Sequence, residues 1–235
     1  HQAWTTKEGL PQNSIRAITQ DREGYIWLAT QEGLARFDGK SIKVFTRNEI
    51  PHIDSEYIAS ATTGPDGFIW FGTSEGDLFY YDGHGFYPAP TPQSLTNQRI
   101  LSIHADTNGT VWLGTDGDGL ISLYRGSFKR YRNSVGLPAQ RIRDVTRGPD
   151  GKLHVASEDE GLFVESDDGF VRYGDSKTKF AARSLAFTTT DVLWVGTDSH
   201  GVKLYIKGKE VPLIQPEPLA TASVWDVAED REGNI

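Results

Sequence analysis

The sequence predicts an all-β chain of four-stranded antiparallel blades, and three observations carry that prediction. One phrase recurs along the chain. Asp106-Thr-Asn-Gly-Thr-Val-Trp-Leu-Gly-Thr-Asp-Gly-Asp-Gly-Leu120 has counterparts opening at Asp21, Pro65, Pro149 and Thr190, and another begins at Asp230. The equivalent ring position is Trp27, Trp70, Trp112, His154 and Trp194, in steps of 43, 42, 42 and 40 residues, the mark of a repeat architecture. Each period also holds four short runs rich in aromatic and β-branched residues, suited to strands. Acidic or Asn residues with Gly separate the runs, as in antiparallel hairpins, and no stretch keeps a helical apolar spacing. Four strands per repeat of this length make a β-propeller blade.

Taken in order, Gln2–Pro11 is similar to Lys129–Pro138, so residues 1–11 read as the outer strand of a closing blade. Five complete repeats follow at about 14–46, 57–88, 99–132, 141–173 and 183–213, then a partial blade over 223–235 whose first strand is Ser223–Glu229. In the first repeat the strands read as Ser14–Gln20, Tyr25–Thr30, Leu34–Phe37 and Ser41–Thr46. The whole of 1–235 is thus expected to be a single propeller segment with partial blades at both ends. It reads as a piece of a longer chain whose ring is open, with an exposed edge for a second copy to cover. The recurrent Trp is expected to fill the wedge between neighbouring blades. His154 then marks a weaker wedge and not a catalytic imidazole.

Composition narrows the function. A net charge of −8 argues against nucleic acid as partner, and no run approaches the ~20 apolar residues of a membrane helix. With no cysteine there is no disulfide framework and no thiolate metal site. The 25 glycines and 11 prolines are spread along the chain, as frequent turns require.

The pattern Asp-x-x-Gly-x-x-Trp-x-Gly-Thr-x-x-Gly-Leu resembles the two-component-regulator propeller repeat, and the opening Trp4–Ser14 is similar to the start of such sensors. The resemblance implies a seven-bladed parent and a periplasmic sensor region of a bacterial hybrid histidine kinase or diguanylate cyclase. It further implies a membrane helix and a cytoplasmic output enzyme elsewhere in the parent. Departures are Ala29 and Ala156 for Gly, His154 for Trp, and a fifth repeat whose first hairpin reads as shortened at Thr188–Asp191.

Candidate chemistry is sparse. The histidines at 1, 52, 84, 104, 154 and 200 lack metal-ligand spacing, and Asp116-Gly-Asp-Gly119 lacks the later acidic ligand of a calcium loop. No catalytic residue, metal or cofactor is expected in this segment. Arg99, Arg141 and Arg183 read as matching positions just before the first strands of successive blades, with Tyr57 and Ser14 at the same point elsewhere. Their planar forks suit a carboxylate or sulfate. Trp225, where other repeats carry Arg16, Leu101 and Arg143, could stack on a sugar ring. Arg99, Arg141, Arg183, Trp225 and Tyr57 are therefore the candidate ligand residues, for a small molecule such as an acidic oligosaccharide, with a homodimer as a further expectation. The alternatives are a protein-docking propeller without a small ligand, and a propeller lyase or hydrolase.

Overall fold

A computed structural model of the chain describes residues 3–50, 53–92, 95–131, 136–174, 179–230 and 232–235. It holds five four-stranded antiparallel sheets, each a simple meander. Blade 1 comprises β1 (Ile15–Gln20), β2 (Ile26–Thr30), β3 (Gly33–Phe37) and β4 (Ile42–Phe45). Blade 2 is β5 (Ile58–Thr63), β6 (Ile69–Thr73), β7 (Leu78–Tyr81) and β8 (Phe86–Pro88). Blade 3 is β9 (Ile100–Ala105), β10 (Val111–Thr115), β11 (Leu120–Tyr124) and β12 (Ser127–Tyr131). Blade 4 is β13 (Ile142–Arg147), β14 (Leu153–Ser157), β15 (Gly161–Ser166) and β16 (Gly169–Arg172). Blade 5 is β17 (Ala182–Phe187), β18 (Val192–Thr197), β19 (Val202–Ile206) and β20 (Lys209–Val211). The chain forms two compact units, residues 1–129 and 130–235. No helix among the described residues is long and apolar enough to cross a membrane.

Within the first unit the core lies between blades. Trp27 is 0% exposed and packs on Phe45 of its own blade and on Phe71, Tyr81 and Phe86 of blade 2, with ring centres 4.9 to 6.1 Å away. Ile58, Ile69 and Phe79 complete that layer. Leu78 and Leu95 meet Ile100, Leu113 and Ile121 in the next. In the second unit Ala156 and Leu162 of blade 4 pack on Leu185, Leu193 and Tyr205 of blade 5. His154 occupies the wedge position there, 2% exposed, edge-on to Tyr173 and Phe187 at 4.8 Å. Its Nδ1–H donates to the Lys152 carbonyl at 3.1 Å, and burial lowers its pKa, so the ring is a neutral packing group.

In blade 2 the Gly of the Gly-Thr pair is needed for close approach. A Cβ on Gly72 would sit 2.7 Å from the Ile100 side chain of the following blade and 2.7 Å from Ser60 Oγ. The Thr hydroxyl then closes the next turn, Thr30, Thr115 and Thr197 donating to Gly33, Gly119 and Gly201 carbonyls at 2.7 to 2.8 Å. The Asp116–Gly119 segment is this same turn.

Three expectations need correction. Residues 1–11 supply no strand among the described residues. Thr5 instead caps a single 3-10 turn, Thr6–Glu8, and Glu8 returns a bond to the Thr5 amide, so local capping wins. Trp4 packs on Phe37 at 4.6 Å. Ser223–Glu229 is likewise not a strand, because only Val224 N–H reaches a neighbouring chain segment by a backbone bond, donating to Thr197 O at 2.9 Å. The turn of that copy does form, with the Asp230 carboxylate accepting from the Glu232 and Asn234 amides; Arg231 lies outside the described residues. The first hairpin of blade 5 is not shortened. Thr188 N–H donates to Val192 O as Asp21 N–H does to Tyr25 O, and Asp191 takes the turning position at φ 61° that Gly24 holds at 91°. An Asp tolerates that left-handed conformation, so the Gly was dispensable.

Candidate guanidinium–aromatic sites

The first strand of every blade slips register against the second after its first residue. Ile15, Ile58, Ile100, Ile142 and Ala182 pair with Thr30, Thr73, Thr115, Ser157 and Thr197, and the next paired residues are Ala17, Ser60, Ser102, Asp144 and Ser184. One residue per blade is left over: Arg16, Ala59, Leu101, Arg143 and Arg183. A bulge of this kind re-aims the side chain of its extra residue. This register divides the three arginines that the sequence had aligned. Arg99 and Arg141 do precede their strands, their carbonyls accepting from Asp116 N and Glu158 N. Arg183 lies inside β17, at the bulge, in register with Arg16 and Arg143. The sequence alignment was displaced because Ala181 gives no signal at the true equivalent of Arg99. The sequence already aligns Arg16 with Arg143, and Arg183 belongs with them.

In the second unit the bulge arginines face the residue that follows the second strand. Glu158 Oε2 accepts from Arg143 Nε at 2.9 Å and Nη2 at 2.6 Å, with Arg141 Nη1 at 3.7 Å. Arg183 Nη2 lies 3.0 Å from Asp198 Oδ2, and Ser223 Oγ donates to the other oxygen. That hydroxyl, and then Arg183, hold the Asp198 carboxyl below its ordinary range. The Arg183 side chain is only 9% exposed, yet its Nε and Nη1 are buried without an acceptor. Its guanidinium carbon is 4.0 Å from the ring centre of Trp225, which is 67% exposed. The structure therefore unites Arg183 with Trp225.

Asp144, one residue beyond the Arg143 bulge, accepts from Leu185 N at 2.7 Å and Val145 N at 2.8 Å. Burial, with a smaller push from Asp226, raises its pKa to about 6. In blade 2 the same position is Ser60, whose hydroxyl donates to Ile100 O at 2.9 Å.

In the first unit Tyr57 and Arg99 come together, the guanidinium carbon 5.0 Å from the ring centre, and Arg16 reaches the same ring at 5.5 Å. Gln31, with its amide oxygen turned to the donors, accepts from Arg16.

Nothing in these groups builds a nucleophile with its base. His84 is exposed, His104 Nε2 lies 3.2 Å from Asp106 in a turn, His200 bonds the Asp198 carbonyl, and His1 and His52 lie outside the described residues. No group of three or more His, Asp or Glu that could hold a metal occurs among the described residues.

Sequence reading also missed the partner of the wedge ring. Trp27 Nε1 donates to Asp21 Oδ2 and Trp112 Nε1 to Asp106 Oδ2, both at 2.8 Å. The Asp of the repeat phrase is thus an acceptor for a buried indole as well as a turn former.

Comparison with known proteins follows this geometry. Residues 9–32 and 94–117 match the two component regulator propeller family. A 46-residue stretch is 39% identical to Histidine kinase P4 of Formosa agariphila, covering 20% of this chain and 3% of the kinase. Among solved structures, the extracellular domain of the hybrid two component system BT3049 from B. thetaiotaomicron is similar at TM-score 0.76 and 24% identity, over 89% of this chain and 31% of that one. Virginiamycin B lyase from Staphylococcus aureus is similar at TM-score 0.71 and 16% identity, over 88% of this chain and 72% of the lyase. At such identities both likenesses speak for the fold, and the chain spans under a third of the BT3049 domain. With five four-stranded meander sheets the chain is a β-propeller segment, two stretches of which match the two component regulator propeller family.

Proposed function

We propose that this segment is the ligand-sensing, periplasmic part of a bacterial signal-transduction protein, relaying occupancy to a cytoplasmic output domain elsewhere in the parent. The ligand is a small acidic molecule, an acidic oligosaccharide by class, and its recognition centres on Arg183 and Trp225. One observation carries this reading: Arg183 is nine-tenths buried and keeps two donor nitrogens without an acceptor beneath an exposed indole. An indole face binds a sugar ring, and a desolvated guanidinium rewards an oxyanion more than a solvated one does. The fold likeness to the extracellular domain of a hybrid two-component system supports the sensor role. Signalling further requires that the ligand prefer one of two states; Trp225, lying over Arg183 from a segment outside any strand, is the element whose position differs between them.

The test is calorimetric titration of the chain with a panel of acidic and neutral oligosaccharides, with light scattering on the same samples. Acidic members are expected to bind and to change the mass, as ligand-dependent homodimerisation requires. Arg183→Gln and Trp225→Ala are each expected to weaken binding about tenfold or more. Full affinity in both variants would overturn the reading.

A docking role without a small ligand is favoured by one other observation. Phe68, Tyr80 and Tyr87 of blade 2 stack in a row at 5.2 and 5.6 Å, with Tyr87 exposed. Binding of no oligosaccharide at all would shift the weight to that surface.

A further inference from the structure

Blade 1 differs from blades 4 and 5 in what faces its bulge arginine. Glu158 and Asp198 meet Arg143 and Arg183 with a full negative charge, whereas Arg16 meets the neutral amide of Gln31. The Arg16 charge is therefore uncompensated by its own blade. Arg99 adds a second guanidinium to the same Tyr57 ring, at 5.0 Å against 5.5 Å for Arg16. Neither arginine forms an ion pair among the described residues, and the Nε of Arg99 is buried without an acceptor. Two like charges on one ring repel, and a cation–π contact at a partly exposed site offsets only part of that. What the group lacks is an acceptor of negative charge.

We propose that Arg16, Tyr57 and Arg99 form a receptor for a compact oxyanion, a carboxylate or a sulfate ester, that takes donors from both guanidiniums. Tyr57 is anchored for this purpose through its backbone: its N–H donates to Ser55 Oγ at 3.1 Å and its carbonyl accepts from Ser74 N at 2.9 Å. The phenol ring carries both guanidiniums on one support, within reach of a common anion. Arg99 begins the run into β9 and Arg16 sits on the β1 bulge, so blades 1, 2 and 3 each contribute one residue. The site shares no residue with the Arg183–Trp225 pair and does not depend on the sensor role.

Calorimetry with glucuronate, glucose 6-sulfate and glucose tests this directly. The chain is expected to bind one or both anionic sugars and not glucose, and the anion that binds identifies the source as carboxylate or sulfate. Arg99→Gln and Arg16→Gln are expected to weaken that binding about tenfold each, as loss of a charged hydrogen bond predicts. Tyr57→Phe keeps the ring and the affinity; Tyr57→Leu loses both. Arg16 is exposed, so its replacement is expected to leave thermal unfolding unchanged and to separate lost binding from lost fold. Arg183→Gln is expected to remove only the binding that belongs to the Arg183–Trp225 pair and to leave the Arg16- and Arg99-dependent binding in place. Wild-type chain that binds neither anion, or Arg16→Gln and Arg99→Gln chains that bind as wild type does, would overturn the proposal. Loss only in Arg183→Gln would assign the anion to the other group, sinking this inference while the sensor reading stands.

Discussion

Blades 1 and 2 place the same ring in the same wedge and treat its polar edge differently. Trp27 hands its indole N–H to Asp21 at 2.8 Å, and the aspartate also accepts from Tyr25 N at 2.8 Å. In blade 2 the position of Asp21 is taken by Gly64, and the Nε1 of Trp70 is buried with no partner. A Cβ on Gly64 would lie 2.7 Å from Asp66 Oδ1 and 3.3 Å from the Ala105 Cβ, so an aspartate there would require Asp66 to turn away and Ala105 to give slightly. Blade 2 has glycine at the acceptor position and leaves the indole donor unsatisfied. Blades 1 and 2 thus both fill the wedge with an indole, and the ring's hydrogen bond forms only where the turn supplies an acceptor.

The largest expected effect breaks the wedge itself. Trp27→Ala empties a fully buried site lined by four other rings and is expected to cost about 3–5 kcal/mol in denaturant unfolding. A cost under ~1 kcal/mol would mean that the wedge collapses freely, contrary to a close-packed junction.

Next comes the inner-strand position that blade 2 fills with Ser60 and blade 4 with Asp144. A carboxyl whose folded pKa is raised to about 6 from 3.8 binds more protons folded than unfolded between those values. Its contribution is therefore most favourable below pH ~4 and is lost as pH rises through about 6, a change of about 3 kcal/mol by neutral pH. Asp144→Asn keeps an acceptor for Leu185 N without the charge. Unfolding midpoints measured from pH 4 to 8 are expected to fall for the native chain over that range and to lose most of this dependence in the variant. Identical profiles would show that Asp144 titrates like an exposed carboxylate.

Smaller effects sharpen the comparison of the two tryptophans. Trp27→Phe strands the Asp21 carboxylate and is expected to cost about 1–3 kcal/mol, and Asp21→Ala a similar amount by stranding the indole. Trp70→Phe removes a donor that had no partner and is expected to stay within about 0.5 kcal/mol of the native chain, smaller packing offsetting the relieved N–H. Equal costs for Trp27→Phe and Trp70→Phe would show that ring volume, and not the hydrogen bond, separates the blades.

Much of this was legible in the chain. The period of the ring positions, the Gly-bearing turns and the alternating runs are local, and they located all five sheets to within about two residues at most boundaries. Ring packing at Trp27 and His154 followed from the same repetition. The ends were misread because Trp4–Pro11 and Ser223–Glu229 resemble strands in composition, while a strand exists only when a neighbour completes its ladder. The candidate arginines were found by type, but Arg183 was aligned two residues off, since Ala181 at the true equivalent of Arg99 carries no signal.

The sequence by itself determined the all-β blade, its length and its repetition, because those rest on turn chemistry and on strand patterns a few residues long. Only the tertiary structure decided which guanidiniums meet a carboxylate, which meet a ring, and which meet neither. Those pairings join residues of different strands and blades, such as Arg183 with Asp198 and Trp225, or Arg16 and Arg99 on Tyr57, and depend on where each bulge aims its side chain. The charge on Asp144 and the unmet donor of Trp70 belong to the same class, for burial is a property of the packed blades and not of any one strand.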